Sequence, residues 1–311
     1  MDISIIICSY NRSMNLPECF SCLENQEITD PIQWEVLLVD NNSTDKTKDV
    51  TENFISKSTL NIRYLFESQQ GLSAARNKGI SESESTYLIF IDDDIRVTQN
   101  WLQSIYSTFK QFDCDAVGGR IHIESPEKLP KWISPDMYGF LGHQDFGTSL
   151  HQIDGIKESP FGGNMAIQRR VFNLIGNFDV NMGRKGEGFK KEEIFKGEET
   201  DFFNRLVAAG GIFYYHPDAL VFHKILPHQL KKGFFLSLHN NSGILQAKSD
   251  TTTYKRQFLD VPLFIFPQLF RAFWRYLITT LTKGPNQSMR QLMNVSYFLG
   301  MLSSYQAKHR T

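Results

Sequence analysis

Tyr87-Leu88-Ile89-Phe90-Ile91-Asp92-Asp93-Asp94 is the stretch of this 311-residue chain from which its architecture can be read. Five uninterrupted apolar residues suit a strand covered on both faces. The run stops abruptly at three carboxylates. Adjacent like charges repel unless something positive binds them, so the trio is prepared for a divalent cation and its anionic ligand. In an open α/β sheet, the carboxyl end of a strand is where ligands bind. A solvated acidic loop tip is the plainer alternative.

Working outward, three more runs of the same kind precede it: Ser4 to Cys8, Trp34 to Val39 and Asn61 to Phe66. Stretches of helical length and pattern lie between and after them, around Leu16 to Leu23, Thr47 to Phe54, Ser73 to Ile80 and Trp101 to Phe112. Strand alternating with helix predicts an α/β fold, a Rossmann-type, mostly parallel sheet flanked by helices. Each strand end carries polar side chains, which predicts that Tyr10, Asp40 and Asp92 to Asp94 converge on one rim. There Tyr10 could stack on a nucleobase while Asp40 accepts from a ring N–H, as uracil N3 would offer. Arg12 and Arg76 have the guanidinium geometry for phosphate oxygens, although Arg76 alone reads equally as a helix-surface charge. Farther on, Gly162 and Gly163 make a turn where no side chain blocks backbone approach, and a plain tight turn would look the same.

Four segments in this order resemble the family 2 glycosyltransferases, enzymes of the GT-A fold. They are Cys8-Ser9-Tyr10-Asn11-Arg12, Val39-Asp40-Asn41-Asn42-Ser43-Thr44-Asp45, Gly71-Leu72-Ser73-Ala74-Ala75-Arg76-Asn77-Lys78-Gly79 and Asp92-Asp93-Asp94. The resemblance implies transfer of a sugar from a nucleotide-diphosphate donor, with inversion at the anomeric carbon. It implies nucleotide-sugar contacts from Cys8 to Arg12, Asp40, Arg76, Asp92 and Asp93, and a sugar and acceptor lining from Gly163 and Asn164. A divalent cation, Mn2+ or Mg2+, would be held by Asp94, with Asp92 and His223. Glu198-Glu199-Thr200-Asp201 resembles the family's acidic motif, and Glu199 is expected as the base that takes the acceptor proton. Glutamate stands where the family has aspartate, so Glu198 and Asp201 remain candidates; acids opening a helix could also merely complement its dipole. His223 follows a short apolar run and could be structural instead. Gly183-Arg184-Lys185-Gly186-Glu187-Gly188-Phe189-Lys190-Lys191 suits a mobile, positive loop over a diphosphate, or an ordinary surface loop.

The formal net charge of −1 conceals an asymmetry. Residues 251–311 carry eight Lys and Arg against Asp260, a net +7, leaving −8 for residues 1–250. Phe266, Leu269, Phe270, Phe273, Trp274, Leu277, Ile278 and Leu281 recur at helical spacing in this basic segment. Arginines and Pro267 interrupt it before it reaches membrane-spanning length. An amphipathic, aromatic, cationic segment over 258–283 suits an anionic membrane surface; a helix capping the catalytic domain is the rival. The expected organisation is a catalytic domain over 1–250, with nucleotide-binding (1–125) and acceptor-binding (126–250) halves, then a helical tail over 251–311. A saccharide or lipid-linked acceptor is expected, in polysaccharide or glycoconjugate assembly, and no nucleic-acid partner. The alternatives are a soluble transferase acting on a protein or small molecule, and a nucleotide-sugar-binding protein without turnover. A dinucleotide oxidoreductase is disfavoured, since no Gly-rich phosphate turn follows the first strand. Met1-Asp2 leads directly into that strand without a basic leader, so a cytoplasmic protein, or one peripheral on the cytoplasmic membrane face, is expected. Cys19 and Cys22 form the one CxxC pair, read as reduced helix thiols rather than half of a zinc site.

Overall fold

A computed structural model describes residues 1–186 and 197–308. The chain divides into two compact units, the first holding 1–124, 142–186 and 197–224 of the described residues. The second holds 125–141 and 225–308, so it takes up α7 (Lys232–Ser249), ahead of the boundary expected at residue 250.

The first unit is a nine-stranded sheet with helices. Its strands are β1 (Ile3–Ser9), β2 (Trp34–Asp40), β3 (Ile62–Phe66), β4 (Tyr87–Asp92), β5 (Ile95–Val97), β6 (Ala116–Glu124), β7 (His151–Ile153), β8 (Met165–Gln168) and β9 (Phe213–Lys224). Its helices are α1 (Leu16–Glu24), α2 (Thr47–Ile55), α3 (Leu72–Glu82), α4 (Trp101–Phe112), α5 (Arg169–Ile175) and α6 (Glu198–Ala208). The order is β3-β2-β1-β4-β8-β6-β9-β5, with β7 on β9. β3, β2, β1 and β4 run parallel, joined by α1, α2 and α3; β8 then enters antiparallel between β4 and β6. Alternate residues of the apolar runs enter separate cores: Ile5, Leu38 and Ile89 one, Ile6, Leu37 and Phe90 the other. Both faces of these strands are therefore covered, which is why their sequences do not alternate with polar residues.

Register brings the functional ends together. Ser9 pairs with Asp40 and Cys8 with Asp92, so the loops after β1, β2 and β4 open on one edge. β8 pairs Met165 with Phe90, and the glycines just before it therefore approach Asp92. Ile95 pairs with His223, and Lys224 N donates to Asp94 O at 3.0 Å.

The second unit contains α7, the hairpin β10 (Gln257–Phe258) and β11 (Val261–Pro262), α8 (Ile265–Lys283) and α9 (Met289–Lys308). α7 and α9 cross where a Cβ on Gly243 or Gly300 would lie 2.0 Å from the facing backbone oxygen of Tyr297 or Asn240. Pro267 falls in the first turn of α8, where no amide hydrogen is required, and does not break the helix. Ile265 and Ala272 form its buried side. The expected apolar stripe lies on the opposite side, with Phe270 66%, Trp274 54% and Leu281 86% exposed. Among the described residues no helix is long and apolar enough to cross a membrane.

Candidate active site

Asp92, Asp93 and Asp94 end β4 and begin the turn into β5, and each faces a different neighbour. Ser9 Oγ donates to Asp93 Oδ2 at 2.6 Å; burial, then Asp94, pushes the Asp93 carboxyl up to about 7. Asp92 is also raised, by burial and then by Asp94. Burial would raise Asp94 as well, but His223 and Arg12 override it and hold this carboxyl down to about 2. His223 Nε2 stands 3.4 Å from Asp94 Oδ1, and Arg12 Nη1 3.8 Å from Asp94 Oδ2. Arg184 also belongs to this charge cluster: burial and Arg12 lower its pKa while Asp94, Asp93 and Asp92 pull it back up. Its backbone is fixed by Leu72 N, which donates to Arg184 O at 3.0 Å. Residues 187–191 of the cationic loop expected here lie outside the described residues.

Asp40 is buried at the end of β2, where Tyr64 Oη donates to Oδ2 at 2.7 Å and Ser43 N to Oδ1 at 2.8 Å. Those bonds fix the carboxylate while leaving it lone pairs for a further donor. Asn11, at φ 52°, accepts from Thr44 N at 2.8 Å and donates its own N–H to Ser43 Oγ at 3.0 Å. Tyr10 is half-buried beside it. Burial pushes the Cys8 thiol up to about 12, so Cys8 lines the site as a neutral group.

The acidic motif opens α6. Arg76, 2% exposed in α3, meets both glutamates: Nη1 lies 3.2 Å from Glu198 Oε1 and Nη2 3.6 Å from Glu199 Oε1. The guanidinium expected on phosphate is thus engaged by the acidic helix. Glu198 is sealed in, and burial, then Glu199, pushes its carboxyl up to about 8. The Glu199 side chain keeps 26% of its surface open. Asp201 turns to another side of the helix, onto Arg205 Nε at 2.9 Å, and Arg205 in turn holds Asn177 O.

The turn before β8 touches both carboxylate groups. A Cβ on Gly162 would lie 2.2 Å from Glu199 Oε1 and 2.3 Å from Arg76 Nη2, and one on Gly163 3.3 Å from Asp92 Oδ2. Only a bare backbone passes between the base candidate and the aspartates. The Asn164 side chain, expected along the sugar and acceptor lining, is fully buried, donates to Ala219 O at 2.8 Å and Arg120 O at 3.1 Å, and accepts from Trp101 Nε1 at 2.9 Å. The side chain is a structural tie, kept from a sugar by its burial. Tyr64 is the site residue that sequence reasoning did not single out; Gly162 was read as part of the glycine turn and Arg184 as one cation of the loop.

Among the described residues, no group of three or more His, Cys, Asp or Glu is gathered to hold a metal ion. Asp94 and His223 nevertheless fit a cation that binds through a diphosphate. Such ions take one or two protein ligands and fill the remaining positions with phosphate and water oxygens, and Asp94 Oδ1 is buried without a well-formed hydrogen bond.

A Rossmann-like half-sheet, acidic at its carboxyl edge and faced by the acidic first turn of α6, has the layout of a nucleotide-sugar transferase. Residues 4–176, more than half of the chain, match the family described as Glycosyl transferase family 2, and the chain belongs to that family. It is similar to the succinoglycan biosynthesis protein ExoM of Rhizobium meliloti, 25% identical over 229 residues covering 73% of this chain and 68% of that protein. It is also similar to glycosyltransferase AglE of Haloferax volcanii, 38% identical over 125 residues, 40% of each chain. Among solved structures, the mannosyltransferase PcManGT from Pyrobaculum calidifontis, in complex with GDP-Man and Mn2+, aligns over 99% of this chain and 88% of that one, with TM-score 0.65 and 13% identity. TarS 1–349 of S. aureus, in complex with UDP, aligns over 99% and 92% with TM-score 0.54 and 16% identity. At these identities the likeness is one of fold, and the GT-A architecture expected from the sequence is the one observed.

Proposed function

We propose that this chain transfers a hexose-type sugar from a nucleoside-diphosphate donor, a uridine diphosphate in the first instance, to a hydroxyl of a saccharide or lipid-linked acceptor, with inversion, in polysaccharide or glycoconjugate assembly. Supporting it most is the separation of roles within the acidic helix: Glu198 is sealed in against Arg76 and Asp201 turns away to Arg205, while Glu199, also held by Arg76, keeps 26% of its side chain open and is reached across two glycines from the aspartates.

Tyr10 and Asp40 receive the base, Ser9 holds Asp93 on the nucleoside side, and Arg12 and Arg184 face the diphosphate. The acceptor oxygen attacks the anomeric carbon from the side opposite the diphosphate. Glu199 takes its proton as the new C–O bond forms, and the old C–O bond breaks with its electron pair going to the nucleoside diphosphate. Asp94 and His223, with Asp92 nearby, would hold a divalent cation, Mn2+ or Mg2+, that neutralises charge growing on the leaving group. The basic, aromatic segment over 258–283 supports a lipid-linked acceptor and a peripheral position on an anionic, cytoplasmic membrane face.

A panel of nucleotide sugars, assayed for thermal stabilisation and for slow hydrolysis with and without Mn2+, tests this reading. One uridine donor should stabilise the protein, hydrolysis should stop with chelator, and Asp94→Ala should abolish turnover while the protein stays folded. Chelator-resistant turnover, or an Asp94→Ala protein at normal rate, would overturn the metal assignment; stabilisation by no nucleotide sugar would overturn the donor.

A further inference from the structure

β10 and β11 are joined by Leu259 and Asp260, with φ of 48° and 63°. Positive φ at both central positions of a two-residue hairpin normally selects glycine, asparagine or aspartate. Asp260 conforms. Leu259 does not, because a branched side chain is strained there. Burial does not offset that strain: Leu259 is 67% exposed and Phe258 beside it 58%. The Phe258 ring stands edge-on to Phe266 at 6.0 Å, so the hairpin tip continues into the outward stripe of α8.

We propose that Phe258 and Leu259 form a wedge that enters the interface of an anionic lipid bilayer alongside the outward face of α8. The inference rests on the reading that the carboxy-terminal segment meets a membrane, and it adds a second, non-helical insertion element. Charge decides for lipid. Lys255 and Arg256 precede the hairpin and Arg271, Arg275 and Lys283 accompany the stripe, all exposed, while Asp260 is the single acid after residue 250. Apolar side chains bordered by cations match the layering of acyl chains beneath anionic headgroups. A second copy of the chain meeting this one through the same face would set these cations against their own kind.

Co-sedimentation of the full chain with phosphatidylcholine vesicles, with and without phosphatidylglycerol, tests it. The wild type should bind the anionic vesicles, bind neutral ones weakly, and release with added salt. Leu259→Gly removes the strain together with the side chain. Its melting temperature should hold or rise while partitioning falls about tenfold, of the order expected for one inserted aliphatic group. Phe258→Ser added to it should lower binding further. A wild type that ignores anionic vesicles overturns the membrane reading and the wedge together. Wild-type binding that Leu259→Gly leaves unchanged overturns the wedge alone. A dimer by light scattering that Leu259→Gly returns to monomer would assign the surface to a second copy instead.

Discussion

At the rim of the sheet Arg76, Asp93 and Glu198 are withdrawn from water, whereas along α8 Phe270, Trp274 and Leu281 are left in it. Each arrangement is costly, the first through lost hydration of charge and the second through uncovered apolar area. The first is offset inside the molecule. Arg76 lies 3.2 Å from Glu198, Ser9 donates to Asp93, and His223 and Arg12 bracket Asp94. The second has no such offset along the exposed side of α8. The site is thus arranged before any ligand arrives, while the stripe of α8 is left open.

The largest effect should separate chemistry from packing within α6. Glu199→Gln should lower kcat by roughly two to four orders of magnitude with donor binding nearly unchanged, as loss of a general base does. Asp201→Asn, which loosens the tie to Arg205, should leave kcat within a few-fold. Steady-state kinetics on both variants, with donor binding by calorimetry, tests the pair; reversal of the two patterns would move the base to Asp201.

Stability should discriminate the two regions in the other direction. Asn164→Ala strands two carbonyls and an indole N–H in the core and should cost about 2–4 kcal/mol. Phe270→Ser with Trp274→Ser, on the exposed face, should stay within roughly 1 kcal/mol for the two changes together. Urea unfolding of each, with m-values compared, measures both. A large loss from the helix pair would mean that the stripe is covered within the molecule after all.

The last effect is electrostatic and is read as a slope with pH. The Glu198 carboxyl is raised from 4.5 to about 8, so the folded state keeps a proton that the unfolded chain has lost across that window. Its contribution to stability is present below about pH 4.5 and declines as pH rises toward 8. Glu198→Gln, with no proton to lose, should show a flatter melting temperature from pH 5 to 8 than the wild type. Parallel slopes would mean that Glu198 is ionised throughout, with Arg76 as its full counterion.

The four parallel strands and their helices were legible because each apolar run ends in polar residues and each helix has its own period; α4, expected over Trp101 to Phe112, has those bounds. Strands β5 to β9 were less so, being short or polar on one side and paired with distant partners. For the site, the sequence identified the carboxylates, the Arg and Gly residues and the acidic helix, but not who faces whom. Asn164 illustrates why. The partners that hold its amide, Trp101, Arg120 and Ala219, lie far away in sequence. Arg76 likewise finds Glu198 122 residues away. Periodicity revealed the stripe of α8; it carries no information on which side of a helix the rest of the chain will cover.

The ties between the loops after β1 and β2 have a consequence for the timing of ligand capture. Asn11 bonds Ser43 and Thr44, and Ser13 N donates to Asp45 Oδ2 at 3.0 Å, so the two walls around Tyr10 and Asp40 are bolted to one another by the fold itself. Walls already fixed have little conformational entropy left to surrender on binding. Encounter with a nucleotide at this end would then be close to rigid docking, and any slow ordering step in the catalytic cycle would belong to the diphosphate and acceptor side of the cleft.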